Sequence, residues 1–83
     1  MSGSLSGKVA VVTGGTRGIG GAISTALAKA GAHVAMFYQH RGEEAEEMAR
    51  GLRAMGVQAL AVQCDVSDPA DQERALANVL AHM

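Results

Sequence analysis

Four glycines fall within seven residues in the stretch Thr13-Gly14-Gly15-Thr16-Arg17-Gly18-Ile19-Gly20. Residues 8–13 before it (Lys-Val-Ala-Val-Val-Thr) form a short run rich in β-branched residues, the pattern of a strand buried on both faces. From about Gly18 onward, Ile19, Ala22, Ile23, Ala26, Leu27 and Ala30 recur at helical spacing, and Gly31 supplies a left-handed cap. A glycine-rich turn between a buried strand and a helix start leaves few alternatives. The helix opens with unpaired N–H groups and a partial positive charge, which together hold an anion. Glycines there permit a tight turn, close approach of backbone to phosphate, and close helix–strand packing.

The spacing separates the phosphate-binding motifs. A G-x-G-x-x-G reading from Gly18 and Gly20 fails at Ile23. A Walker loop fits the interval from Gly15 to Gly20, but Gly21-Ala22 stands where Lys-Ser/Thr is needed. What remains is T-G-x-x-x-G-I-G. The rest of the chain keeps the same alternation. Residues 32–38 read as a second strand, and 39–42 as a polar loop. Glutamates 43, 44, 46 and 47 open a second helix, where they suit its positive end. That helix has Ala45, Met48, Ala49, Leu52 and Met55 as its buried stripe, with Gly56 as its cap. Residues 57–62 read as a third strand. Asp68 caps a third helix with Pro69 at its first position and Asp71 completing a box-like start; Leu76, Val79, Leu80 and Met83 mark its apolar side. The order β-α-β-α-β-α predicts an α/β, Rossmann-type parallel sheet with right-handed crossovers, its strands in the order 3-2-1 within three layers.

Composition narrows the function classes. Seven Lys plus Arg stand against eight Asp plus Glu, for a net charge of −1 over 83 residues. No basic stripe supports nucleic-acid or anionic-membrane binding. No apolar run approaches the roughly 20 residues that span a bilayer. The lone Cys64 forms no staple, and with no leader-like N-terminus the expectation is a cytoplasmic protein. His33, His40 and His82 lack metal-ligand spacing, so no metal site is expected. Residues 1–7 read as a flexible tail and 8–83 as the N-terminal part of a dinucleotide-binding domain.

The glycine pattern, together with Asp65-Val66 after the third strand, resembles the short-chain dehydrogenases/reductases, and most resembles their 3-oxoacyl-acyl-carrier-protein reductases. The resemblance covers residues 5–83. It implies that the backbone of Gly14, Gly18, Ile19 and Gly20 meets a pyrophosphate while Thr13 braces the turn. It also implies that Asp65 accepts from the adenine amino group beside the Val66 amide. NAD-users place a carboxylate at the end of the second strand, roughly 20 residues past the glycines. Here Tyr38, Gln39, His40 and Arg41 occupy that region. With Thr16 and Arg17 in the turn and Arg41 nearby, NADP(H) is the expected cofactor. Gln39 departs from the family, in which many NADP-preferring relatives carry Arg or a hydroxyl residue.

The family's catalytic Tyr-x-x-x-Lys, upstream serine and Asn-Asn-Ala-Gly turn have no counterpart here: Tyr38 is followed at i+4 by Gly42. No catalytic residue is therefore expected in this chain. The reading is the cofactor-binding portion of a reductase, with a small-molecule or acyl-carrier-linked carbonyl as substrate and a homo-oligomeric parent. The alternative is a non-catalytic nucleotide-binding module or fragment that pairs with another chain. Thr13, where methyltransferases of similar β-α-β start normally carry an acid, argues against that class.

Overall fold

The computed structural model describes residues 5–14 and 18–83. The small and β-branched runs become three strands, β1 (Val9–Thr13), β2 (His33–Tyr38) and β3 (Ala59–Gln63). They alternate with three helices, α1 (Gly18–Lys29), α2 (Gly42–Arg53) and α3 (Pro69–His82). All pairings are parallel, from Val9 opposite His33 to Thr13 opposite Phe37, and from Val34 opposite Ala59 to Tyr38 opposite Gln63. The sheet runs β1-β2-β3 with β2 in the middle. The sequence reading writes this 3-2-1; the neighbours are the same and the sheet is read from its other edge.

This register sorts side chains onto two faces. Val34, Met36 and Ala59 join Ala28 of α1 and Ala49 and Leu52 of α2 in one core. Ala35, Phe37, Val62 and Cys64 join Ala75 and Val79 of α3 in another. Helices thus cover both faces, which explains why the interior of β2, Val34 to Phe37, is apolar and buried throughout rather than alternating. Gly31 (φ 97°) and Gly56 (φ 94°) take the left-handed conformation expected after α1 and α2. Within residues 1–7, read as a tail, 1–4 lie outside the described residues. Leu5–Gly7 make a turn in which the Leu5 amide donates to the Ala30 carbonyl at 2.9 Å.

α1 buries a different face from the one its sequence suggests, and α3 buries one shifted from it, keeping Val79 and Met83 of the expected side against the core. α1 buries Gly21, Ser24 and Ala28, while Ile19 is 82 % exposed and Ala22, Ile23 and Ala26 also face solvent. At 100° per residue these two sets lie on nearly opposite sides. The small set wins because it lets the helix axis approach the sheet, and Ser24 Oγ satisfies itself on the Gly20 carbonyl at 3.0 Å. On α3, Ala75 and Val79 are buried, whereas Leu76 is half exposed and Leu80 is 78 % exposed. β1 shows the same asymmetry: Val9 and Val11, on the α3 face of an edge strand, are open. β3 begins at Ala59 rather than Val57. Gln58 still joins β2, donating its amide to His33 Nδ1 at 2.9 Å and accepting the Val34 amide at 3.0 Å.

Candidate functional site

The C-terminal ends of the three strands are kept level by bonds just beyond the ladder. Gly14 N–H donates to the Phe37 carbonyl and Cys64 N–H to the Tyr38 carbonyl, each at 2.8 Å. Above them lies a crevice of about 280 Å³ lined by Thr13, Gly14, Phe37, Tyr38, Gln39, Cys64 and Val66. In open α/β sheets this end, beyond the carboxyl ends of the strands, is where ligands sit.

On the β1 side, Gly14 (φ 65°) and Gly18 (φ 55°) both adopt the left-handed region. A Cβ built on either meets no atom of the described residues within 4 Å. Packing within the protein therefore does not demand glycine there; the backbone conformation does, and the space beside it is open to a ligand. Gly18 is also the first residue of α1, so unpaired helix amides begin at that point. Gly20 is half-buried and Ile19 exposed in the same turn. Thr16 and Arg17 lie outside the described residues.

At the end of β2, Tyr38 and Gln39 line the crevice, and no carboxylate stands among residues 38–41. The Gln39 carbonyl accepts from Gln63 Nε2 at 3.3 Å, tying this loop to β3. Arg41 takes the N-cap position of α2 with φ 66°, an unusual conformation for a side chain of its size. Its Nη1 lies 3.4 Å from Glu44 Oε1, with both side chains about half exposed. Such an exposed pair is weak, so Arg41 can be drawn to a stronger anion.

The β3–α3 corner is the most closely bonded part of the site. Asp65 Oδ1 accepts from Ser67 N–H at 3.0 Å and Ser67 Oγ at 2.6 Å, and these bonds hold the Asp65 carboxyl below its ordinary range. Among the described residues, Asp65 Oδ2 and the Val66 amide have no hydrogen-bond partner. An acceptor and a donor are thus left on adjacent residues, of which Val66 lines the crevice. Asp71 Oδ2 accepts the Asp65 amide at 2.6 Å, and Asp71 Oδ1 takes Arg74 Nε at 2.7 Å. The Arg74 hydrogen bond, then that of the Asp65 amide, lowers the Asp71 carboxyl, and in return the guanidinium is raised. Arg74 also donates to the Gln63 carbonyl, and Gln72 to the Val66 carbonyl. Burial pushes the Cys64 thiol up, with Asp71 adding to it, so this thiol is a poor nucleophile.

The structure brings Thr13, Gly14, Tyr38, Gln39 and Val66 to one crevice, with Gly18 at the start of α1 and Asp65 in the β3–α3 connection next to Val66. Arg41 sits farther out, at the start of α2. The expected box at α3 is different: Asp68 does cap the helix, accepting from Ala70 N–H at 3.0 Å, but Asp71 reaches back to Asp65 instead of to the Asp68 amide. Sequence reasoning missed Phe37 and Cys64 as lining and Gln63, Gln72 and Arg74 as supports. Only the i, i+3 spacing of Asp71 and Arg74 hinted at the last. Among the described residues no cluster of metal-binding side chains occurs and no helix is long and apolar enough to cross a membrane.

Residues 8–83 match the family described as short chain dehydrogenase. Versicolorin reductase 1 of Aspergillus parasiticus is 45 % identical over 78 residues, which is 94 % of this chain and 30 % of that protein. A hydroxynaphthalene reductase of Aspergillus fumigatus is likewise 45 % identical over 78 residues, 29 % of its length. Among solved structures, a short chain dehydrogenase from Burkholderia cenocepacia J2315 in complex with NADP superposes with a TM-score of 0.86 at 45 % identity, covering 90 % of this chain and 31 % of that one. A blue fluorescent protein from a metagenomic library, in complex with NADPH, gives 0.89 at 41 % identity, over 94 % and 32 % of the two chains. The chain spans about 30 % of the length of these relatives.

Proposed function

Because this chain belongs to the short-chain dehydrogenase family, we propose that it is the NADP(H)-binding portion of a cytoplasmic, homo-oligomeric reductase that delivers hydride to a carbonyl. The observation that carries the proposal is the crevice itself: two left-handed glycines on one side, an acceptor–donor pair at Asp65–Val66 on the other, and no acid at the end of β2.

Each part has a role. The backbone of Gly14, Gly18, Ile19 and Gly20 takes the pyrophosphate at the start of α1, where helix amides favour an anion. Asp65 accepts from the adenine amino group while the Val66 amide donates to the adjacent ring nitrogen. Tyr38, Gln39 and Arg41, with Thr16 and Arg17 of the turn, surround the 2′-phosphate. No carboxylate at residues 38–41 repels that phosphate, whereas NAD-users place one there for the ribose hydroxyl. When bound, the nicotinamide supplies the hydride. No residue of this chain is given a proton-transfer role. The substrate is a carbonyl on a small molecule or an acyl carrier; the relatives named for versicolorin and hydroxynaphthalene favour the small molecule.

The open faces fit a longer domain. A helix apolar on both sides, as α1 is, is one built to be covered on both. With right-handed crossovers, moving from the α1–α2 face to the α3 face reverses the direction in which strands are added, toward the open edge of β1. That same edge favours a second reading, a nucleotide-binding module whose β1 pairs with another chain. The intact mass of the natural protein separates the two.

Titration of the natural protein with NADPH and NADH tests the cofactor assignment. One charge-assisted bond to the 2′-phosphate makes NADPH tighter by about tenfold or more. Equal affinities, or tighter NADH, overturn the assignment.

A further inference from the structure

We propose that Asp71 is a positioning residue for nucleotide-base recognition: its carboxylate fixes the Asp65–Val66 corner in the one arrangement that offers an acceptor and a donor to adenine. The inference rests on the base-binding reading of that corner given above.

The bonds around Asp71 carry the inference. A carboxylate in the first turn of a helix ordinarily serves that helix, accepting from its own unpaired amides. Asp71 does not. Its Oδ2 leaves α3 and accepts the amide of Asp65, six residues earlier, at 2.6 Å. Its Oδ1 is held by Arg74 Nε at 2.7 Å, which fixes the rotation of the carboxylate. Arg74 extends the same brace to the Gln63 carbonyl, at the last residue of β3, and Gln72 holds the Val66 carbonyl. Three side chains of α3 thereby pin Gln63, Asp65 and Val66.

The consequence falls on what is left over. With the Asp65 amide spent on Asp71 and Asp65 Oδ1 spent on Ser67, the groups without partners among the described residues are Asp65 Oδ2 and the Val66 amide. Adenine presents a 6-amino donor beside an N1 acceptor. The 6-oxo base hypoxanthine presents an acceptor and an N1–H donor, so it mismatches both protein groups. Without the Asp71 anchor the Asp65 amide is free to turn, and the pair loses its fixed spacing. The cost is borne by base discrimination rather than by phosphate binding.

The test uses NADPH and its hypoxanthine analogue with the natural protein, binding being followed by titration. The unmodified protein is expected to favour the adenine form by about tenfold, the value of one charged hydrogen bond. Asp71→Ala is expected to bring the two affinities within about twofold, chiefly by weakening the adenine form. Asp71→Asn keeps an acceptor for the Asp65 amide and is expected to retain most of the preference. Should Asp71→Ala fail to fold, Asp71→Ser carries the same expectation, because its hydroxyl is too short to reach that amide. Equal weakening of both cofactors by these variants makes Asp71 a purely structural residue and overturns the proposal. A protein that does not distinguish the two bases before mutation overturns the base-binding reading, and the role of Asp71 with it.

Discussion

Replacing Gly18 by alanine separates what the turn does for the fold from what it does for the ligand. Gly18 sits at φ 55°, where an L-residue is strained, and its new Cβ meets no atom of the described residues within 4 Å. The folding cost is therefore confined to the backbone, about 1–2 kcal/mol, with no packing term added. The ligand fares worse. The methyl group enters the open space beside the first turn of α1, where the pyrophosphate approaches, and losing one charge-assisted hydrogen bond costs about 1.5–3 kcal/mol. That is roughly ten- to a hundredfold in NADPH affinity. Calorimetric titration of the folded variant, with denaturation measured in parallel, reads both quantities. NADPH affinity equal to that of the unmodified protein, in a variant that shows the expected backbone strain, refutes the placement of the pyrophosphate at this turn.

Three further outcomes are expected. Tyr38→Asp puts a carboxylate at the end of β2 and shifts the ratio of NADPH to NADH affinity toward NADH; an unchanged ratio, measured by titration, sinks Tyr38 as the discriminating position. Gly51→Ala, in the interior of α2 with nothing within 4 Å of the added Cβ, stabilises the fold by about 0.5–1 kcal/mol in denaturant titrations, and a loss of stability contradicts the exposure of that site. Asp65 and Asp71 both have carboxyls lowered from 3.8, so their stabilisation is fully present above that value and is lost as the pH falls through their lowered values. An acid titration of stability that is the same in Asp71→Asn as in the unmodified protein denies Asp71 any part in that loss.

The sequence was most readable where only one arrangement satisfied it. On α2 the glutamates at 43, 44, 46 and 47 and the arginines at 50 and 53 leave a single apolar side; Ala45, Ala49 and Leu52 are buried and Met48 partly so, while Met55, expected in the same stripe, lies past the helix end and is exposed. α1 and α3 carry apolar residues on more than one side, so periodicity alone did not choose between them. The bulky Ile19, Ile23, Leu76 and Leu80 drew the sequence reading, while the sheet took Gly21, Ser24, Ala28 and Ala75, which allow closer approach. The candidate site divides in the same way. The glycine-rich stretch and the Asp65–Val66 corner announce themselves by spacing; Gly14 and Gly18 take positive φ, and residues 15–17 between them lie outside the described residues. Asp71, Arg74 and Gln72 act through bonds that cross from α3 to the end of β3, and a linear pattern does not reveal which amide a carboxylate will reach.

A crystal structure of the natural protein with NADP bound decides where the dinucleotide lies. The expected result is a dinucleotide across the C-terminal ends of β1, β2 and β3, its pyrophosphate at Gly14–Gly20, its adenine against Asp65 and Val66, and its 2′-phosphate beside the loop that follows Tyr38. A nucleotide bound elsewhere, such as in the hollow at the opposite end of the sheet lined by Val57, Leu60, His82 and Met83, contradicts it.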